Sequence, residues 1–275
     1  MSLLVFRLPN DFMWYNLLMD ITIFVIVFLA LTGLAIGSFV NATVLRINQS
    51  QSLQGRSQCP HCHHTLYWYT LIPLLSYIGL RGRCLFCQQS ISVQYPLVEA
   101  VTAGLFILLG IFFYTDPVRL TIYLILVSIC LAIFLSDYLF STIPDVFSLS
   151  GMVIALIGQV LLGGSMFDIG VGVALGGGIF LAQYVLSKGR WVGSGDIRLG
   201  VMLGVMLAWP NIVVCLFLAY VAGALVALPL LLIKSKKMGD ALPFGTFLTG
   251  AGVVALLWGN QIVHWYLYAF LKLPI

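Results

Sequence analysis

Two groups of side chains in this sequence have the means to do chemistry. The first is Cys59-Pro-His-Cys62 and Cys84-Leu-Phe-Cys87, two CxxC knuckles far enough apart to fold back on one another. Four thiolates so spaced close a tetrahedral Zn²⁺ site, each knuckle giving two ligands from a tight turn. His61, His63 and His64 crowd the first knuckle, so a histidine replacing one thiolate is the alternative to an all-cysteine set. Four cysteines leave no open position for water, which makes the metal a structural staple rather than a catalyst. The second group is Asp137 and Asp196, which stand in apolar surroundings where an ionisable group is expensive and marks function by default. Two carboxyls in one partly dehydrated site cannot both ionise easily. One keeps its proton while the other draws a proton from water, the requirement for amide hydrolysis by general acid and base. The plainer reading of each aspartate is a helix cap or an interfacial residue.

The elements that must hold these groups follow from composition. The chain has 275 residues, 61% hydrophobic and 8% charged, with mean hydropathy +1.07. A soluble domain is about one-quarter charged, so most of this surface faces lipid. A bilayer core of about 30 Å needs about 20 apolar residues per helix. The pattern predicts an all-α polytopic membrane protein of about eight transmembrane helices, over 18–46, 97–114, 119–140, 145–163, 168–187, 197–209, 211–233 and 244–270. The sixth is short, and Pro210 marks a tight turn to the seventh, with a re-entrant segment as the alternative. The long polar stretch divides the chain into 1–46 (N-terminus and first helix), a 47–96 zinc-binding insert, and a 97–275 seven-helix core. The insert has few apolar residues with which to build a core, which is why it needs a staple. No internal repeat is evident. Gly176-Gly177-Gly178 and Gly250-Ala251-Gly252 suit close helix packing, and Cys130 and Cys215 suit inert packing in apolar spans. The N-terminal stretch lacks the short apolar core and small-residue cleavage site of a secretory signal, and Phe12, Trp14 and Tyr15 read as an interfacial belt.

Of the 13 Lys and Arg, all but Arg7, Arg119 and Lys272 fall on one side when the spans alternate. By the positive-inside rule that side is cytoplasmic, which places the insert there and both termini in the periplasm. Thiols stay reduced in the cytoplasm, so metal is favoured over disulfides. The same map sets Asp137, Asp145 and Asp196 at the cytoplasmic ends of their spans and Asp11, Asp20, Asp116 and Asp168 at the outer ends. Pro144-Asp145 opens a helix, where a carboxylate serves as a cap. Asp196 follows Gly193-Ser194-Gly195, a flexible stretch that lets the backbone come close to a neighbouring helix.

These segments resemble the type IV prepilin peptidases, membrane aspartic proteases of the GxGD class. Gly193-Ser194-Gly195-Asp196-Ile197-Arg198-Leu199 is similar to the family's GxGDxKL segment, and Asp137 followed by Pro144-Asp145 to its first aspartate motif. Gly37-Ser38-Phe39-Val40-Asn41, the CxxC knuckles, Ile72-Pro73-Leu74, Tyr95-Pro96-Leu97-Val98-Glu99 and Leu242-Pro243-Phe244-Gly245 stand in family order, so the likeness runs from about 33 to 260. It implies Asp137 and Asp196 as catalytic aspartates, with Gly193, Gly195, Asp145 and Arg198 supporting. It further implies cleavage of a short basic leader after a glycine in type IV prepilins or pseudopilins. The cysteine-bearing insert implies a second activity, N-methylation of the new N-terminus with S-adenosylmethionine. Arg198 stands where Lys is usual, and Thr246 where Pro is common. No methyl-donor pocket is derivable from the residues. Asn41 and Glu99, polar residues at span edges, either line one or tie helices by hydrogen bonds.

The expected partners are a precursor protein and the bilayer of the inner membrane, with no nucleic acid. Two rivals differ in class. An ion-conducting protein would use the aspartates as a path, although the span interiors offer no chain of ionisable groups. A zinc-stapled scaffold for pilus or secretion machinery would have no chemistry at the aspartates.

Overall fold

The computed structural model describes residues 11–233 and 242–271. Arg7, Lys234, Lys236, Lys237 and Lys272, part of the charge count above, lie outside the described residues, as do the side chains of Phe12, Trp14, Tyr15, Asp11 and Asp20. The helices are α1 (Asp11–Asn48), α2 (Leu75–Gly79), α3 (Gln94–Phe113), α4 (Pro117–Phe140), α5 (Asp145–Leu161), α6 (Met166–Ser187), α7 (Ser194–Leu232) and α8 (Phe244–Tyr266). A 3₁₀ turn spans Trp68–Leu71, and no β-strand occurs among the described residues. In lipid the backbone must satisfy its own hydrogen bonds, so long apolar runs fold as helices. Six helices are long and apolar enough to cross a membrane; α5 is shorter.

Helix boundaries follow local chemistry. Asp116 caps α4 by accepting from the Arg119 N–H at 3.0 Å, and Pro117 stands at the first turn, where a missing N–H costs nothing. At its other end α4 stops at Ser141, whose left-handed φ of 53° turns its N–H back onto the Asp137 carbonyl at 2.8 Å.

α7 reverses where the sequence predicts a turn. Ala208 and Trp209 leave helical geometry just before Pro210. Before the break, Leu203 and Met206 meet Gly252 of α8; after it, Cys215 bonds to the Leu248 carbonyl and Gly223 lies against Phe244 and Phe247. The second half of α7 therefore runs back along α8, and the long apolar helix contributes two passes. Gln159 of α5 donates to the Val205 and Met206 carbonyls at 3.1 and 2.9 Å, near the acceptors that the break frees.

The core is built around α7. Leu199, Met202, Leu203, Ile212, Cys215 and Ala219 are fully buried among Ile133 of α4, Ala155 of α5, Phe180 of α6 and Leu248 and Ala255 of α8. Glycine permits the closest approach. A methyl at Gly172 or Gly176 of α6 would collide with the Gly204 or Gly200 carbonyl of α7, so two GxxxG faces meet backbone to backbone. A second such face, Gly33 and Gly37 of α1, lies against Ala103 and Glu99 of α3, where a methyl would come within 2.7 and 2.8 Å of Cα atoms. Of the glycine patches read from sequence, Gly176, Gly177 and Gly252 are in tight contacts. Gly178 and Gly250 face open space.

The insert holds a repeat that side-chain identity conceals. In both knuckles the first cysteine's carbonyl accepts from the residue four on, His63 at 2.9 Å and Gln88 at 3.1 Å, and those residues have φ of 55° and 57°. Both also close an antiparallel bridge, Gln58 to Thr65 and Arg83 to Ser90.

Candidate active site and metal centre

Asp137 lies in the last turn of α4 and is buried. Its Oδ2 accepts from the Thr246 N–H of α8 at 2.9 Å. Thr246 belongs to the first turn of α8, whose N–H groups have no intrahelical acceptor, so the carboxylate completes a helix end across the bundle. Gly245 leaves it room: a methyl there would sit 2.9 Å from Asp137 Oδ2 and 3.1 Å from Ile143 Cδ1.

Asp196 is the third residue of α7, and its Oδ2 accepts from the Gly193 N–H at 2.9 Å, the reach-back half of a capping box. Gly193 has no side chain to return the bond. At Gly195 a methyl would lie 3.0 Å from Ile143 Cβ, which is why the glycine-rich approach matters here. Ile143, in the short α4–α5 connection, therefore touches the backbone beside Asp196 and the glycine that seats Asp137. Two segments remote in sequence, each bearing an acid, thus converge on Ile143 at one end of the bundle.

The same end is braced by polar contacts. Arg198 Nη2 pairs with Asp145 Oδ1 at 2.7 Å, joining the first turns of α7 and α5; Asp145 makes this ion pair and caps no helix. Sequence reasoning missed a second brace. Asn48, at the end of α1, donates to Ser136 Oγ at 2.9 Å and accepts from Thr142 Oγ1 at 2.6 Å. Ser136 is fully buried and immediately precedes Asp137. The one advance signal was a polar side chain at the membrane edge of each apolar helix.

Asn41 and Glu99 work as ties between elements. Asn41 Oδ1 accepts from Gln94 Nε2 at 2.9 Å, and Glu99 Oε2 accepts from the Leu74 N–H of the insert at 2.8 Å. Asn41 Nδ2 has no partner among the described residues.

The four cysteine sulfurs lie within 4.8 Å of one another, and Cys59 Sγ is 3.8 Å from Cys87 Sγ. Zn–S bonds of about 2.3 Å in a tetrahedron set sulfurs about 3.8 Å apart, so the donors fit a metal ion. No histidine joins the cluster among the described residues; His64 instead stacks on Phe86, ring centres 3.6 Å apart. Backbone N–H groups of Cys87 and Phe86 pull the Cys84 thiol down to about 7. At Cys87 the Gln89 N–H also lowers the pKa, but burial and the neighbouring sulfurs outweigh it and push the thiol up to about 11. Four crowded sulfurs resist common ionisation without a cation among them.

Residues 31–113 match the Bacterial Peptidase A24 N-terminal domain, and residues 124–228 match the Type IV leader peptidase family. A prepilin leader peptidase/N-methyltransferase of Aeromonas hydrophila is 35% identical over 221 residues, 78% of this chain and 76% of its own length. One from Pseudomonas putida is 33% identical over 279 residues (91% and 96%), and one from Pseudomonas aeruginosa 30% over 266 (86% and 91%). No solved structure matches the chain. The apolar bundle, with its acids at one end, is a multi-pass inner-membrane protein of the peptidase class. The chain belongs to the type IV leader peptidase family.

Proposed function

We propose that this chain removes the leader peptide from type IV prepilins or pseudopilins at the cytoplasmic face of the membrane, with Asp137 and Asp196 as the catalytic pair. The observation that carries the reading is the convergence of Gly195, beside Asp196, and Gly245, beside Asp137, on Ile143 at the end of the bundle from which the insert emerges. The positive-inside charge distribution supports that end as cytoplasmic and both termini as periplasmic. The precursor's apolar helix lies among the spans with its leader beside the Arg-bearing loops. One ionised aspartate takes a proton from water as the water oxygen adds to the scissile carbonyl carbon. The other, protonated, donates to the carbonyl oxygen. Collapse then breaks the C–N bond, and the departing amine takes up a proton. The pair titrates jointly, so the first proton belongs to the dyad rather than to either residue.

Zn²⁺ is the ion that best suits Cys59, Cys62, Cys84 and Cys87, and its binding supplies folding free energy to the 47–96 insert beside the 97–275 core. The second activity, transfer of a methyl group from S-adenosylmethionine to the amine exposed by cleavage, is supported by the double name of the relatives.

The test replaces one acid at a time. Asp137→Asn and Asp196→Asn keep size and an acceptor oxygen, so the Thr246 and Gly193 bonds can persist. Each is expected to lower cleavage of a reconstituted precursor by about 10³-fold or more, read by mass spectrometry. Cleavage at the wild-type rate by either would end the proposal.

A further inference from the structure

The insert exposes several large apolar side chains. Leu75 and Ile78, three residues apart on α2, are 69% and 70% exposed, and Trp68 on the preceding turn is 75% exposed. The opposite side of α2 faces the knuckle, with Tyr77 donating to the Ile91 carbonyl at 3.3 Å and packed beside Gly82. This small helix is thus amphipathic.

Its height relative to the membrane is set by one hydrogen bond. The Leu74 N–H is held by Glu99 of α3, a span that begins at Gln94. At about 1.5 Å per residue, Glu99 lies about 7–8 Å beyond the start of the span. Leu97 and Val101, on either side of Glu99 along the helix and on the face opposite its buried carboxylate, are exposed at the same depth of that span. Leu75 therefore leaves its tether at a depth where α3 itself faces lipid. Amphipathic helices that lie on membranes bury their apolar face about 5–10 Å into the boundary between headgroups and chains. Trp favours that boundary, and exposed Arg81 and Arg83 follow α2 directly, placed to meet anionic headgroups.

From this juxtaposition we infer that Trp68, Leu75 and Ile78 form a lipid-docking face, which beds the cysteine insert in the cytoplasmic surface of the bilayer. The occupant is phospholipid, because Leu74 is tethered at the depth of lipid-exposed Leu97 and Val101 and the exposed Arg81 and Arg83 beside α2 complement anionic headgroups. The docked face supplies a third membrane attachment for the insert, besides α1 and α3, and fixes the height of the metal knuckles. This docking does not depend on leader cleavage, so its failure leaves the peptidase reading untouched.

The experiment places the photo-crosslinking residue p-benzoylphenylalanine singly at positions 75 and 78 of the full-length, metal-loaded protein in nanodiscs of phosphatidylethanolamine and phosphatidylglycerol. Position 101 of α3 is the positive control and position 61, in the first knuckle, the negative one. After illumination, intact mass is expected to rise by one phospholipid at 75, 78 and 101 but not at 61. Adducts at 101 without any at 75 or 78 would overturn the inference. So would illumination in native membranes that joined 75 and 78 to a protein instead of lipid.

Discussion

Gly245→Ala probes how Asp137 is held in place. The added methyl would lie 2.9 Å from Asp137 Oδ2 and 3.1 Å from its Cγ, with Ile143 Cδ1 also at 3.1 Å. These distances are about 0.5 Å short of comfortable contact. The carboxylate must move away from the Thr246 N–H, since the helix backbone on the other side is fixed by packing. A displacement approaching 1 Å in a reacting group costs about 10²-fold in rate, and a weakened charge-assisted bond about 1.5–3 kcal/mol. The expected outcome is a fall in kcat of about 10- to 100-fold with KM little changed. Thr246→Pro is the companion. It deletes the N–H and aims the ring Cδ at the carboxylate oxygen that accepted from it, at a first-turn position where proline is tolerated, and is expected to lower kcat by about tenfold or more. Initial rates on a reconstituted precursor, with thermal unfolding in the same detergent, give both readings. A folded Gly245→Ala protein with unchanged kcat would refute the idea that α8 seats the aspartate.

Asn48→Ala removes the bonds to Ser136 and Thr142, leaving the buried Ser136 hydroxyl only its 3.4 Å contact with Thr142 Oγ1, and is expected to destabilise the protein by about 1–3 kcal/mol, measured as a lowered thermal midpoint. Gly204→Ala drives a methyl into the Gly172 backbone and should sharply reduce folded yield, whereas Gly178→Ala, with nothing within 4 Å, should not; size-exclusion profiles compare them. Cys59→Ser and Cys84→Ser each remove a buried donor and are expected to abolish metal binding at the knuckles. Elemental analysis reads the metal, and loss of amide protection confined to the insert reads the structure.

The sequence carried some of this architecture openly. CxxC spacing announced the cysteine cluster because four ligands need only two local turns. The reversal of α7 was legible at Pro210, since a proline after a short apolar run stops a helix. Charge asymmetry placed Asp137 and Asp196 at a common depth, because depth depends only on span order. The contacts that hold them were hidden. Asn48, Ser136 and Thr142 find one another across three separate segments, and a polar residue in an apolar helix does not declare its partner. Nor does a glycine declare which face it occupies: Gly177 is packed and its neighbour Gly178 is open. Thr246 stood out only as a departure from a family pattern. Its importance lies in a backbone N–H, which every residue except proline offers and which no side-chain motif records.

The partner of Asp137 has a bearing on biosynthesis. The donor that steadies this acid comes from the final described span, more than 100 residues later in the chain. While a ribosome is still making α5 or α7, the first carboxyl waits without its anchor and the pair is incomplete. Any protease built on this geometry would reach its full rate only once α8 was threaded, which would limit premature cutting of neighbouring nascent proteins.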